Sequence, residues 1–254
     1  MTVLRLVVAC AFAAAPACGA AAASPRTVRV STSRGSFDMV VFSPKGPAGH
    51  TATPIVLLVS GEGGWRKFDG MIAGFFCDAG YWVGGLDVTG YFWNAQDDRE
   101  LLASDARAYA HALADAADRP ADTPIVLAGF SFGADLVPWI AGAGGWGSRV
   151  AGLVMIGPDS MGSLEFRLSE ILGMAAKDHV FKVADALTSA SGIPVLFLHG
   201  SKDRDSAAPT LHAAASEPKK LVIVPGAGHH FAGQEETLRA ALLEGLAWIR
   251  AQRR

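Results

Sequence analysis

Cysteine is almost missing from the body of this chain. Of its three cysteines, Cys10 and Cys18 fall in the leader-like first stretch, and Cys77 stands alone beyond it. A disulfide within the body is therefore excluded. Cys77 closes the apolar helical run Met71-Ile72-Ala73-Gly74-Phe75-Phe76-Cys77 and reads as a small buried hydrophobe. Charge is also sparse. Asp, Glu, Lys and Arg make up 18% of the residues, the formal net charge is −2, and no long basic run occurs. Nucleic-acid binding driven by phosphate neutralisation is not expected. The histidines are scattered apart from His229-His230, and zinc-ligand spacing is absent, so no metal site is expected. No G-K-[ST] follows the glycine-rich stretch Ser60 to Trp65, which removes the phosphate-loop reading, and no cofactor is expected.

Residues 1–23 read as a signal peptide. Arg5 is the one charge, Leu6 to Ala15 is an apolar run, and Ala21-Ala22-Ala23 precedes Ser24 as a small-residue cleavage site. The apolar part is short for a membrane span, and Pro16 interrupts it. Cys18 raises lipidation as an alternative processing route, although Ala15 stands where a branched aliphatic residue is the norm. Export to the periplasm is the expectation. Residues 24–254 remain, roughly 230 residues, enough for one domain with a full core. Half of the chain is hydrophobic, which suits a globular domain.

What the chain does have is a serine in a telling place. Pro124-Ile125-Val126-Leu127-Ala128 is a buried-strand run. Gly129-Phe130-Ser131-Phe132-Gly133 follows it, and Ala134 to Ala141 reads as a helix. This is G-x-S-x-G between strand and helix, the context of a nucleophile elbow, in which a sharp turn exposes the serine oxygen. Two further strand runs follow in the order that this chemistry uses. Ile193 to His199 leads to Gly200-Ser201-Lys202-Asp203, and Leu221 to Val224 leads to Pro225-Gly226-Ala227-Gly228-His229. A serine hydroxyl is a poor nucleophile until a base takes its proton, and a carboxylate must orient that base. Ser131, His229 and Asp203 are the candidates.

Each partner has an alternative. Asp203 lies in a polar turn where it could act as a cap. Asp159, after the run Leu153 to Ile156, is the second candidate acid, and His230 could replace His229. His199 ends a strand and reads as a satisfied structural histidine. For the oxyanion, the run Pro54 to Val59 enters Ser60-Gly61-Glu62-Gly63-Gly64-Trp65. A backbone N–H of Glu62, or of Gly61 close behind it, is expected to act with that of Phe132.

The remaining pattern agrees with a mostly parallel sheet carrying helices on both faces, the α/β-hydrolase fold. Thr27 to Ser31 and Phe37 to Ser43 alternate around Arg34-Gly35 as an opening hairpin, and Tyr81 to Asp87 reads as a strand. Leu102, Ala106, Tyr109 and Leu113 share one helix face. Leu238, Leu242, Leu246 and Ile249 form the stripe of a C-terminal helix whose end carries arginines. Pro158 to Gly192 is a longer excursion that could form a small cap.

Several stretches together resemble the VirJ/AcvB family of bacterial virulence-associated proteins. They are Ser60 to Trp65, Gly90-Tyr91-Phe92-Trp93, Gly129 to Asp135, Glu165-Phe166-Arg167-Leu168-Ser169 and Gly228 to Phe231. The resemblance covers nearly all of residues 24–254 and is closest to the short VirJ-like form. Glu62 stands where the family often has Asp, and Phe130 where it has Tyr. The resemblance implies an exported α/β-hydrolase. In AcvB-type members the activity is hydrolysis of aminoacyl-phosphatidylglycerol, mainly the lysyl ester, at the periplasmic face of the inner membrane. VirJ-like members are also tied to type IV secretion, which implies secretion-system proteins as partners. A lysyl substrate carries a positive amine, so a carboxylate should line the pocket: Glu62, Asp87, Asp135 and Glu165 are candidates. Trp65, Tyr91, Phe92 and Trp93 follow strand runs and suit either a lipid interface or packing beneath a loop. An ester of a different, soluble kind would leave the same motifs in place.

Overall fold

Strands that are buried on every residue must be covered on both faces, and the central strands here are of that kind. Every residue of β3 (Ile55–Val59), β4 (Val83–Leu86), β5 (Ile125–Phe130) and β9 (Val195–Gly200) is buried. The computed structural model describes residues 25–44, 53–165 and 179–252. The expected signal peptide (residues 1–23), with Cys10 and Cys18, and the stretch Phe166 to Ser169 lie outside the described residues.

The opening hairpin forms from β1 (Arg26–Thr32) and β2 (Gly35–Phe42), paired antiparallel. With β6 (Val150–Ile156) and β10 (Lys219–Val224) it completes an eight-stranded sheet, ordered β1-β2-β4-β3-β5-β6-β9-β10. From β4 onward all pairs are parallel. A short second ribbon pairs β7 (Met161–Ser163) with β8 (Val180–Lys182), inside the stretch expected to form a cap.

Two cores follow from the alternation of side chains. Leu57, Leu127 and Leu153 pack with α2 (Val88–Tyr91), α3 (Arg99–Ala116), α4 (Phe132–Ala141), α5 (Val183–Ser189) and α6 (Ala208–Ala214). Leu58, Val126 and Val154 pack on the other face with α1 (Lys67–Asp78) and α7 (Glu235–Ala251). The α3 face Leu102, Ala106, Tyr109 and Leu113 is buried, as is the α7 stripe Leu238, Leu242, Leu246 and Ile249. Each such leucine contributes about 1.5–3 kcal/mol relative to exposure. Cys77 is buried within α1.

Polar groups pin the hairpin to the sheet's helical cover. Asp105 on α3 accepts hydrogen bonds from the Ser33 N–H at 2.8 Å, the Ser33 hydroxyl at 2.6 Å and the Tyr91 hydroxyl at 2.6 Å. Tyr91 and Phe92 are buried, so of the four aromatics considered for a lipid interface these two pack in the core. Trp93 is 60% exposed. Among the described residues no helix is long and apolar enough to cross a membrane.

Candidate active site

Strand β5 gives way to a backbone conformation that most residues with a side chain avoid. Ser131 has φ 50° and ψ −120°, between the last strand residue and the first turn of α4. A positive φ costs a non-glycine residue about 1–2 kcal/mol. The surrounding hydrogen bonds hold it there. Its N–H donates to the Ile156 carbonyl at 2.9 Å, and its carbonyl accepts from Ala134 at 2.7 Å. The turn also needs bare backbone on either side. A β-carbon on Gly129 would lie 2.2 Å from the Gly133 carbonyl carbon, and one on Gly133 would lie 2.2 Å from the Val59 carbonyl oxygen. That is the physical content of the two glycines in G-x-S-x-G.

The histidine and the acid arrive from neighbouring strands. The loop after β9 carries Asp203 and the loop after β10 carries His229. The Lys202 N–H donates to the Ala227 carbonyl at 2.8 Å and ties the two loops together. His229 Nδ1 lies 2.9 Å from Asp203 Oδ2. The Asp203 side chain is wholly buried, and that of His229 is 21% exposed. The second Asp203 oxygen accepts from the N–H groups of Asp205 and Ser206. A carboxylate fixed in this way holds Nδ1–H as donor and leaves Nε2 as the acceptor nitrogen. Asp159 does not take this place. It is exposed, and its carboxylate accepts from Ser160. His230 pairs with no carboxylate among the described residues and sits edge-on to Phe68 and Phe130.

Ser131 and His229 open on one cavity of about 260 Å³. Its walls are the loop Gly61 to Gly64, the first turn of α1 with Arg66, Phe68 and Asp69, and Phe130 and His230. The loop's backbone donors can be accounted for in turn. Ser60 donates to Leu86, Gly64 to Gly61, Trp65 to Asp87, and Gly61 and Arg66 to Asp69. Only the N–H groups of Glu62 and Gly63 find no acceptor among the described residues, and both residues line the cavity. Phe132 opens α4 directly beside Ser131, where the N–H groups of a first turn have no intrahelical partner.

The other candidates are placed elsewhere. Trp65 packs on Phe42, with ring centroids 5.9 Å apart, and covers Gly85 of β4. Asp87 accepts from Trp65 and Thr89 and caps α2. Asp135 lies on α4 away from the cavity, where it accepts from the Asp159 N–H at 2.8 Å; burial pushes its carboxyl well above the ordinary carboxylate range. Glu165 follows β7 in a turn closed by the Ser163 hydroxyl, and the cavity does not include it. His199 is buried with Nδ1 unpartnered, whereas the sequence pattern suggested a satisfied histidine. A larger cleft of about 600 Å³ near Arg107, Trp146 and Arg149 lies away from Ser131.

Asp69 was not legible as a site residue. Burial pushes its carboxyl above the ordinary range, and the nearby Asp87 adds to this, while N–H bonds from Arg66 and Gly61 oppose it. An acidic residue in the first turn of a helix was the one available signal, and it reads equally as a simple cap. Among the described residues no group of three or more His, Cys, Asp or Glu side chains is placed to hold a metal ion.

Strand order, elbow and loop positions define an α/β-hydrolase fold. The structure is similar to an esterase domain from a Rhodothermus marinus protein, at 20% identity and TM-score 0.62, covering 91% of this chain and 99% of that one. It is similar to a dienelactone hydrolase from Anabaena variabilis at 19% identity and TM-score 0.63, covering 89% and 99%. A serine hydrolase without a lid from Xanthomonas campestris is similar at 19% and TM-score 0.57, covering 88% and 94%. Residues 53–250 match the family model of the bacterial virulence protein VirJ, and the chain belongs to that family. No curated protein matches the chain.

Proposed function

We propose that this protein is a serine esterase in which Ser131 is the nucleophile, His229 the general base and Asp203 its orienting carboxylate. The observation that carries the reading is the 2.9 Å His229–Asp203 contact beside a strained serine that shares its cavity. Ser131 Oγ attacks the ester carbonyl carbon while Nε2 of His229 takes its proton. Negative charge on the carbonyl oxygen is met by the N–H groups of Glu62 and Phe132. Collapse expels the alcohol, which takes the proton from His229, and a water then releases the acyl group by the same route.

We infer further that the ester is an aminoacyl-phosphatidylglycerol, with the lysyl form preferred, and that the protein works after export at the periplasmic membrane surface. Support comes from the family resemblance and from two side chains on the cavity wall. Glu62 and Arg66 carry opposite charges, and neither side chain has a hydrogen-bond or ion-pair partner among the described residues. A carboxylate suits the substrate amine and a guanidinium suits a lipid phosphate. The test is the purified protein with a panel of aminoacyl-phosphatidylglycerols, followed by lipid analysis, with Ser131→Ala as control. Consumption of the lysyl lipid by wild type alone is expected. Fluorophosphonate labelling of Ser131 with no aminoacyl lipid consumed would leave the esterase reading standing and remove the lipid substrate.

A further inference from the structure

A helix cap needs one oxygen of its carboxylate. Asp69 uses both. It stands at the third position of α1, where its Oδ2 accepts the Arg66 N–H at 2.8 Å, as a first-turn acid does in a capping box. Its Oδ1 turns back to accept the Gly61 N–H, a longer contact of 3.4 Å. One buried carboxylate thus joins Gly61 and Arg66, the two ends of an arc in which, among the described residues, Glu62 and Gly63 present unpaired N–H groups to the cavity. Within the arc the Gly64 N–H closes a turn on the Gly61 carbonyl at 3.0 Å, and two further anchors act from outside. Ser60 Oγ accepts from Val88, and Asp87 accepts from Trp65. Neither of them spans the loop.

We propose that Asp69 is a positioning residue for the oxyanion site: it sets the arc from Gly61 to Arg66 so that the Glu62 N–H faces the reacting carbonyl oxygen. This rests on the reading of Ser131 as nucleophile. The argument is geometric. Oxyanion donors act only when they are aimed in advance at the place where charge develops, and a glycine-rich loop with free ends does not stay aimed. By occupying the Gly61 N–H, Asp69 also removes that group as a rival donor, which decides between Gly61 and Glu62. Asp69 is only 2% exposed, so its carboxylate is committed to these contacts.

The test separates clamping from capping. Asp69→Asn keeps the size of the side chain but has one acceptor oxygen, so its amide opposes one of the two N–H groups. Asp69→Ser keeps a polar acceptor at the helix start and cannot serve both loop ends. Each variant and wild type are measured for kcat and KM on p-nitrophenyl acetate, for affinity toward a tetrahedral boronate inhibitor, and for thermal melting. We expect kcat to fall roughly 10- to 100-fold, less than the roughly 10²–10³ for outright removal of an oxyanion donor because the donor is misaimed and not removed, with boronate affinity falling in parallel and KM nearly unchanged. If either folded variant retains wild-type kcat and boronate affinity, the proposal is overturned. A loss confined to KM also overturns it, because Asp69 would then be touching substrate. Wild type that neither turns over the ester nor takes a fluorophosphonate label overturns the esterase reading and this inference with it. An active wild type with unaffected variants overturns only this inference.

Discussion

Gly157 lies against the ring of His229. A β-carbon on it would sit 3.1 Å from Cε1 and 3.3 Å from Nδ1, and 3.5 Å from the Asp203 carboxylate. Its φ of +60° is also one that L side chains rarely adopt. Gly157→Ala should therefore cost about 1–2 kcal/mol of stability and displace the imidazole as well. Small misplacements of catalytic groups are costly, so kcat/KM should fall by roughly 10- to 100-fold, more than the melting shift alone accounts for. Steady-state kinetics on a short p-nitrophenyl ester, beside a thermal melt, will separate the two effects.

Asp203→Asn should leave the fold intact and lower kcat by roughly 10⁴, the magnitude known for the equivalent change in a protease triad. The amide would present N–H to N–H groups that now meet a carboxylate. Asp159→Asn should stay within a few-fold of wild type, because Asp159 is exposed and does not reach the histidine. If the ranking of the two variants reverses, the assignment of the acid is wrong.

These positions differ in how far the amino-acid order reveals them. Ser131, Asp203 and His229 each follow a continuous apolar run, and such runs identify buried parallel strands without any knowledge of contacts. Their loops must emerge at the same sheet edge, so the set is legible. Loop closure is not. Asp69 and Gly61 are eight residues apart, and only the path of the loop brings them together. Trp65 looks like a pocket aromatic until the chain turns it over Gly85, where a missing side chain leaves room for an indole. The strand expected from Tyr81 to Asp87 shortens to Val83–Leu86. Tyr81 still bonds back to the end of α1, and Asp87 already caps α2.

Asp135 provides a test by pH. Its carboxyl is raised by burial, so the folded protein binds a proton more tightly there than the unfolded chain does. The stability from that proton is fully present below the unfolded carboxylate pKa and is lost as pH rises through the folded value. Asp135→Asn keeps an acceptor for the Asp159 N–H and has no charge to bury. The melting temperature of the variant relative to wild type should rise between pH 4 and pH 8. A difference that stays flat across this range would mean that Asp135 titrates normally.

Selectivity for a cationic acyl group should reside in Glu62. Glu62→Gln should lower kcat/KM for a lysyl ester by roughly 5- to 150-fold, the range for losing one charge-assisted contact of about 1–3 kcal/mol. Cleavage of a neutral ester of similar size should change little. Equal losses on both esters would show that the Glu62 carboxylate does not recognise the amine.

The left-handed turn at Ser131 sets stability against activity. Glycine at that position would occupy the same backbone without strain, so Ser131→Gly should melt higher than Ser131→Ala, while both lose the hydroxyl that the proposed mechanism uses. A lineage released from catalysis would have a downhill path open to it at this residue. If Ser131 is the nucleophile, a serine held in a conformation that favours its replacement should persist only where turnover is under selection, so the residue at this position should distinguish relatives that keep the reaction from those that have lost it.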